Sequence, residues 1–267
     1  MPAPTITLTT DFGDGSTYVA QMKGVILSIH PGVLLVDITH RIAPQDVRGA
    51  ALVLEEACRW FPEGTIHLAV VDPGVGTERP LVCAAVGPHR FVAPDNGLLT
   101  LVCREAVAVR TFRLVERRYW LPDVSPTFHG RDILAPVAAH LARGVDPAAL
   151  GPPQDQLVTL DFPLPVGTAD SLVGEILSID AFGNLISNIP ARLLPEDVPR
   201  AGLRVRVGPR EIRGLVATYG RGEPGELVAL IGSAGRLEIA VVGGNAARQL
   251  GARVGDEVLV LPGKEAG

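Results

Sequence analysis

A chain of 267 residues, 47% hydrophobic and only 20% charged, has the length and apolar content to bury one large core or two modest ones, which excludes a disordered polymer. Its formal net charge of −5 supplies no basic face to neutralise phosphates, so nucleic acid is not an expected partner. Apolar runs such as Val33–Val36 are far too short for a membrane span, no signal-peptide pattern opens the chain, and Cys58, Cys83 and Cys103 lack any C-x-x-C spacing, so reduced thiols in a cytoplasmic protein are expected.

Thr5–Thr9 reads as a first buried strand, and a polar turn, Asp11 to Ser16, follows it. A helix is predicted from Tyr18 to Ile29, stopped by His30-Pro31-Gly32. Val33–Asp37 reads as a second strand. Asp46 to Trp60 carries Val47, Ala50, Ala51, Leu54, Ala57 and Cys58 at helical spacing, with Gln45 or Asp46 as its cap. Thr65–Val71 reads as a third strand, and this alternation predicts a largely parallel α/β sheet in a domain over 1–150.

Residues 151–170 are rich in proline and glycine and read as a linker. Beyond them come strand-like runs at Leu172–Ile179, Gly202–Val207, Glu211–Val216, Glu226–Ile231, Leu237–Val242 and Glu257–Leu261. No long helical pattern interrupts them, so a smaller, antiparallel, barrel-like β-domain is expected over 171–264.

In open α/β sheets, ligands bind at the carboxyl ends of strands. Two segments leave predicted strands with a carboxylate: Thr9-Thr10-Asp11-Phe12-Gly13 and Val71-Asp72-Pro73-Gly74-Val75-Gly76-Thr77-Glu78-Arg79. Asp11 is placed to accept ribose hydroxyls, although aspartate beside glycine equally serves as a turn former or cap. The second loop is no P-loop, because no Lys-Ser/Thr follows its glycines, and Asp72 with Arg79 also suits a plain ion pair. Phe128-His129-Gly130-Arg131-Asp132 opens a helix running to about Ala142 and exposes one histidine at its entry; His30, His40, His67, His89 and His140 read as structural. In the second half, Asp180-Ala181-Phe182-Gly183-Asn184 reads as a hairpin turn whose aromatic and amide also suit a purine.

Taken in order, these segments, with Pro94-Asp95-Asn96-Gly97, Gly232-Ser233 and Leu237-Glu238-Ile239, resemble the S-adenosylmethionine (SAM) hydroxide adenosyltransferases. These are the hydrolase branch of the superfamily that includes the SAM-dependent chlorinases and fluorinases. The resemblance implies an N-terminal Rossmann-like domain, a C-terminal β-barrel domain, and a homotrimer with its site at the subunit interface. It implies SAM as the substrate, with no cofactor and no metal. Asp72, Arg79 and His129 fall at the catalytic positions. Asp11 would hold the ribose, Ser16 and Tyr18 the methionine end, Asn184 and the backbone at Val242 the adenine, with Phe182 packing nearby. Asp180, Ser233 and Glu238 would bind the amino-acid portion.

The fluorinases of that superfamily carry tyrosine where this chain has Asp72 and serine where it has Gly130, with an insertion after the Thr77–Arg79 region; here Pro80 follows at once. Those departures favour water as nucleophile and hydrolysis of SAM to adenosine and methionine. A chlorinase, a non-catalytic SAM or adenosine sensor, and a generic nucleotide-binding protein are the competing readings.

Overall fold

The computed structural model describes residues 3–104, 106–168, 171–195 and 198–262. The chain divides into two compact units, Met1–Leu160 and Asp161–Gly267. Of the expected linker, 169–170 lie outside the described residues, as do 263–264 at the end of the expected β-domain.

The first unit runs β1 (Thr5–Thr10), α1 (Tyr18–Ile29), β2 (Leu34–Thr39), α2 (Val47–Cys58), β3 (Ile66–Val70), β4 (Leu81–Val86), β5 (His89–Pro94), α3 (Thr100–Arg104), β6 (Val109–Arg113) and α4 (Ala135–Ala142). Its sheet has the order β2-β1-β3-β5-β4-β6. The β2–β1, β1–β3 and β3–β5 pairs are parallel, whereas β4 runs antiparallel to both its neighbours. The sheet is therefore mixed. Only Gly87 and Pro88 join β4 to β5, and two residues permit a hairpin but not a crossover.

Side chains alternate across the sheet with the two-residue period of a strand. On one face Ile66, Leu68 and Val70 pack with Met22 and Ile26 of α1 and Val137 of α4. On the other, Ala69 and Val71 pack with Ala50 and Leu54 of α2. The buried residues of α1, Val19, Met22 and Ile26, lie three and four apart, and burying each contributes about 1.5–3 kcal/mol. Asp46 caps α2, accepting the Gly49 N–H at 2.8 Å.

The second unit runs β7 (Val166–Gly167), β8 (Leu172–Ile179), β9 (Leu185–Pro190), β10 (Leu203–Val207), β11 (Arg210–Arg213), β12 (Leu227–Ile231), β13 (Arg236–Val241), α5 (Ala246–Leu250) and β14 (Glu257–Pro262). The order is β11-β10-β14-β8-β9-β13-β12, with β7 on β8 and every pair antiparallel. Val216, just past β11, donates its N–H to Ala229 of β12 at 2.8 Å, so the strip curls into a nearly closed barrel. Its core includes Ile176, Leu185, Val205, Leu237 and Val258.

The predicted strands of this half omit β9, an interior strand that takes in Asn188-Ile189-Pro190. Its polar residues are buried because their bonds are satisfied locally. Ser187 Oγ donates to the Leu237 carbonyl at 2.7 Å, and Asn188 accepts the Glu175 N–H and donates to the Pro163 carbonyl, each at 2.9 Å.

Candidate active site

The parallel strands β1 and β3 end side by side, with Thr10 paired to Val70. Asp11 follows β1 directly and Asp72 follows β3 after Val71, so both emerge into one crevice at the carboxyl edge of the sheet. Both line a cleft of about 400 Å³ with Tyr18, Gln45, Phe128 and His129.

The loop after β3 turns tightly because two positions have no side chain. Gly76 has φ +82°, and a Cβ there would stand 2.6 Å from the Pro126 carbonyl oxygen. A Cβ on Gly74 would stand 2.9 Å from Arg79 Cδ. Arg79 thus folds back on the start of its own loop. Its Nε donates to Asp72 Oδ1 at 2.6 Å, its Nη2 donates to Asp72 Oδ2, and Nη2 also reaches His129 Nδ1 at 3.2 Å. The Arg79 and Asp72 side chains are only 9% and 7% exposed, so this is a desolvated, bidentate pair.

Arginine has donors only. His129 Nδ1 must therefore accept, which leaves the proton of a neutral imidazole on Nε2. The electrostatics agree: burial, then the Arg79 charge, lowers the His129 pKa, with Asp72 and Asp132 partly opposing.

On the opposite wall Asp11 Oδ2 accepts the Gln45 N–H at 2.8 Å. Gln45 stands at φ +67°, the only non-glycine residue with positive φ among the described residues. Tyr18, Phe12 and Phe128 meet edge to face at 5.1–5.8 Å between centroids. Ser16 does not line the cleft; its Oγ donates to the Phe12 carbonyl at 3.0 Å.

In the second unit Asp180 organises the β8–β9 turn. Its Oδ1 accepts the N–H groups of Phe182 and Asn184, and its Oδ2 accepts from Asn184 Nδ2, all at 2.9 Å. Phe182 is 76% exposed. Glu238 on β13 is buried and accepts the Tyr219 hydroxyl at 2.7 Å. Burial raises the Glu238 pKa and Asp180 adds to the rise; burial and the Glu238 bond push the Tyr219 phenol up to about 12. Ser233 is exposed in the turn before β13. Val242 follows β13, its N–H donating to Glu226 at 3.0 Å and its carbonyl accepting from Gly225 at 2.8 Å. The Val242 N–H is thus engaged within the barrel, and its carbonyl keeps a second lone pair.

Sequence reasoning gave no site role to Gln45 or Tyr219. The contribution of Gln45 is a main-chain N–H set by an unusual torsion, and Tyr219 sits in a one-turn 3-10 segment outside any motif.

An open α/β sheet with carboxylates at adjoining strand ends defines a small-molecule site at its carboxyl edge. Family models sharpen that class: one described as the SAM hydroxide adenosyltransferase N-terminal domain matches residues 6–151, and one for the C-terminal domain matches 174–259. The chain belongs to the SAM hydroxide adenosyltransferase family. It is 43% identical to the (R)-S-adenosyl-L-methionine hydrolase of Salinispora tropica, over 98% of this chain and 99% of the relative. Identity to the enzyme of that name from Thermus thermophilus is 42%, over 94% and 97%. A fluorinase from Actinoplanes sp. is more distant, at 30% over 90% and 92%. Among solved structures, an uncharacterized conserved protein from Thermotoga maritima superposes with a TM-score of 0.91 at 39% identity, over 96% of this chain and 99% of that one.

Proposed function

We propose that the chain hydrolyses SAM to adenosine and L-methionine by attack of water on C5′, with Asp72, Arg79 and His129 as the catalytic group. The observation that carries this reading is the Arg79 guanidinium, locked on Asp72 and touching His129 at the edge of the cleft that holds Asp11. The hydrolase relatives support the reaction class, and their names specify the (R) sulfonium epimer, which we take as the preferred substrate.

The sulfonium is already an activated leaving group. What the protein must supply is a competent nucleophile, since the pKa of bulk water is about 15.7. The His129 N–H at Nε2 donates to the water and fixes its direction. Asp72 takes the proton as the oxygen–C5′ bond forms, while the C5′–S electron pair leaves on sulfur as the neutral thioether of methionine. Hydroxide character and sulfonium charge cancel along the path, so a desolvated site does not penalise the barrier. Asp11 holds the ribose and Tyr18 faces the methionine end, while Ser16, bonded to the Phe12 carbonyl, holds the loop beside it. Asn184, Phe182 and the Val242 carbonyl serve adenine, and Asp180, Ser233 and Glu238 the amino-acid group. A cytoplasmic homotrimer with its site at the subunit interface completes the reading, and light scattering of the purified protein measures that mass.

Halide attack is the second reading, since fluorinases are relatives. Geometry favours water. A Cβ at Gly130 would lie 3.1 Å from Val70 Cγ1, so a serine there requires neighbours to move. Incubating each sulfonium epimer in ¹⁸O-water, with and without chloride, tests both. Labelled adenosine supports hydrolysis, 5′-chloroadenosine supports halogenation, and intact SAM despite measured binding makes the protein a sensor.

A further inference from the structure

His129 does not enter the site from a regular helix. The residues after it, Gly130–Leu134, form a π turn in which the Ala135 N–H reaches back to the Gly130 carbonyl, and only from Ala135 does α4 begin. Pro136 follows directly and has no N–H to give the carbonyl four residues earlier, that of Asp132. Leu121 takes that carbonyl instead, at 2.9 Å. Single π turns are inserted features that recur at functional sites.

Asp132 is the node of this arrangement. Its side chain is fully buried, yet it carries a carboxylate. Oδ2 accepts the Ser125 N–H at 2.8 Å; Arg131 grips both oxygens, with Nε to Oδ1 at 2.6 Å and Nη2 to Oδ2 at 3.0 Å. The same guanidinium donates to Gln21 of α1 at 2.9 Å and lies 5.0 Å from the centre of the Phe128 ring. Main chain and side chain of one residue thus tie down both ends of the segment that presents His129. A buried charge costs far more than a buried amide, and a loop is held equally well by neutral groups. The carboxylate asks for a reason in the site beside it.

We propose that Asp132 is a positioning residue for His129: its carboxylate, gripped by the Arg131 fork and the Ser125 amide, fixes the π turn from which the imidazole reaches Arg79. Arg131 extends the same control to the Phe128 wall of the cleft. The assignment rests on the reading that Asp72, Arg79 and His129 perform the chemistry.

The test is Asp132→Asn, which keeps the shape and removes the charge. Displacing a catalytic group by about 1 Å costs on the order of 100-fold, so kcat is expected to fall about 10- to 100-fold with KM within about threefold. In a His129→Ala background the same change is expected to alter kcat less than about threefold, because a residue acting through His129 has nothing left to act on. An equal loss in both backgrounds, or no loss in the first, overturns the proposal. Nitrogen-15 spectra of the histidine rings give a readout independent of turnover. The wild-type His129 ring is expected as the single Nε2–H form, and in Asp132→Asn as a mixture of tautomers. Unchanged His129 signals overturn the proposal, whereas failure of the wild type to cleave SAM sinks the functional reading alone. Should Asp132→Asn not fold, Arg131→Lys and Arg131→Gln ask the same question by loosening the grip. Lysine is expected to retain more kcat than glutamine, and equal values for both overturn the proposal.

Discussion

At the scale of single residues, Arg79 couples the site together. Arg79→Ala leaves the Asp72 carboxylate buried and unpaired, which costs about 3–5 kcal/mol of stability, and removes the group that orients His129. We expect kcat to fall about 100- to 1,000-fold with a smaller change in KM, measured by single-turnover and steady-state assays beside a urea titration. An Arg79→Ala enzyme with wild-type kcat removes Arg79 from the mechanism. The His129 pKa is lowered, so the ring is neutral above its ordinary value of 6.5 and charges only under more acidic conditions. Protonation at Nδ1 would set N–H against N–H and cation against cation at Arg79. Turnover should therefore be flat through neutrality and decline only as pH drops below about 6.5. A decline that begins above pH 7 in the kcat profile contradicts this account of the imidazole.

At the scale of elements, short polar contacts hold the pieces that carry the site. Asp46 caps α2 directly after Gln45, whose N–H meets Asp11. Asp46→Ala is expected to cost about 1 kcal/mol by thermal or chemical denaturation and to raise KM, since the cap anchors the turn behind Asp11. A stability loss with unchanged KM would confine Asp46 to the helix. The π turn is the second such device, and a substitution there tests packing rather than polarity. Gly130→Ser pushes a side chain against Val70, Phe128 and Met22, and we expect hydrolysis to fall about tenfold or more without chlorinase activity appearing. Chloride incorporation by that variant would show that the hydroxyl alone selects the nucleophile.

At the scale of the whole molecule, the core records an acid sensitivity. His67 on β3 is fully buried, bonded to Thr7 through Nδ1 at 2.8 Å and stacked on Phe91 at 4.8 Å. Burial, with His89 adding, lowers its pKa from 6.5 to about 3. Between those values the unfolded chain binds a proton that the folded chain refuses. Stability is therefore lost as pH falls from about 6.5 towards 3, by up to about 1.4 kcal/mol per pH unit from this group. Chemical denaturation at pH 7, 5.5 and 4.5 should show a shallower slope in His67→Leu than in the wild type. An identical slope assigns the acid loss to other groups.

Much of the architecture was legible because it is local. The bounds of α1 follow from apolar spacing and a Pro-Gly stop, and β8 from an apolar run between turns. The hairpin β4–β5 and the interior strand β9 were not, since burial on both faces erases alternation and Ser187 and Asn188 imitate a turn until their partners are known. By itself the sequence determined the family, the α/β and β-barrel classes of the two halves, and the order in which Asp11, Asp72, Arg79 and His129 occur. Only the tertiary structure decided that Arg79 folds back onto Asp72, which ring nitrogen of His129 accepts, and which partners the Gln45 N–H and the Asp132 carboxylate find. These depend on torsions, tautomers and side-chain contacts, among them Gln45–Asp11 across 34 residues and Arg79–His129 across 50, and none of these leaves a periodic trace in the sequence.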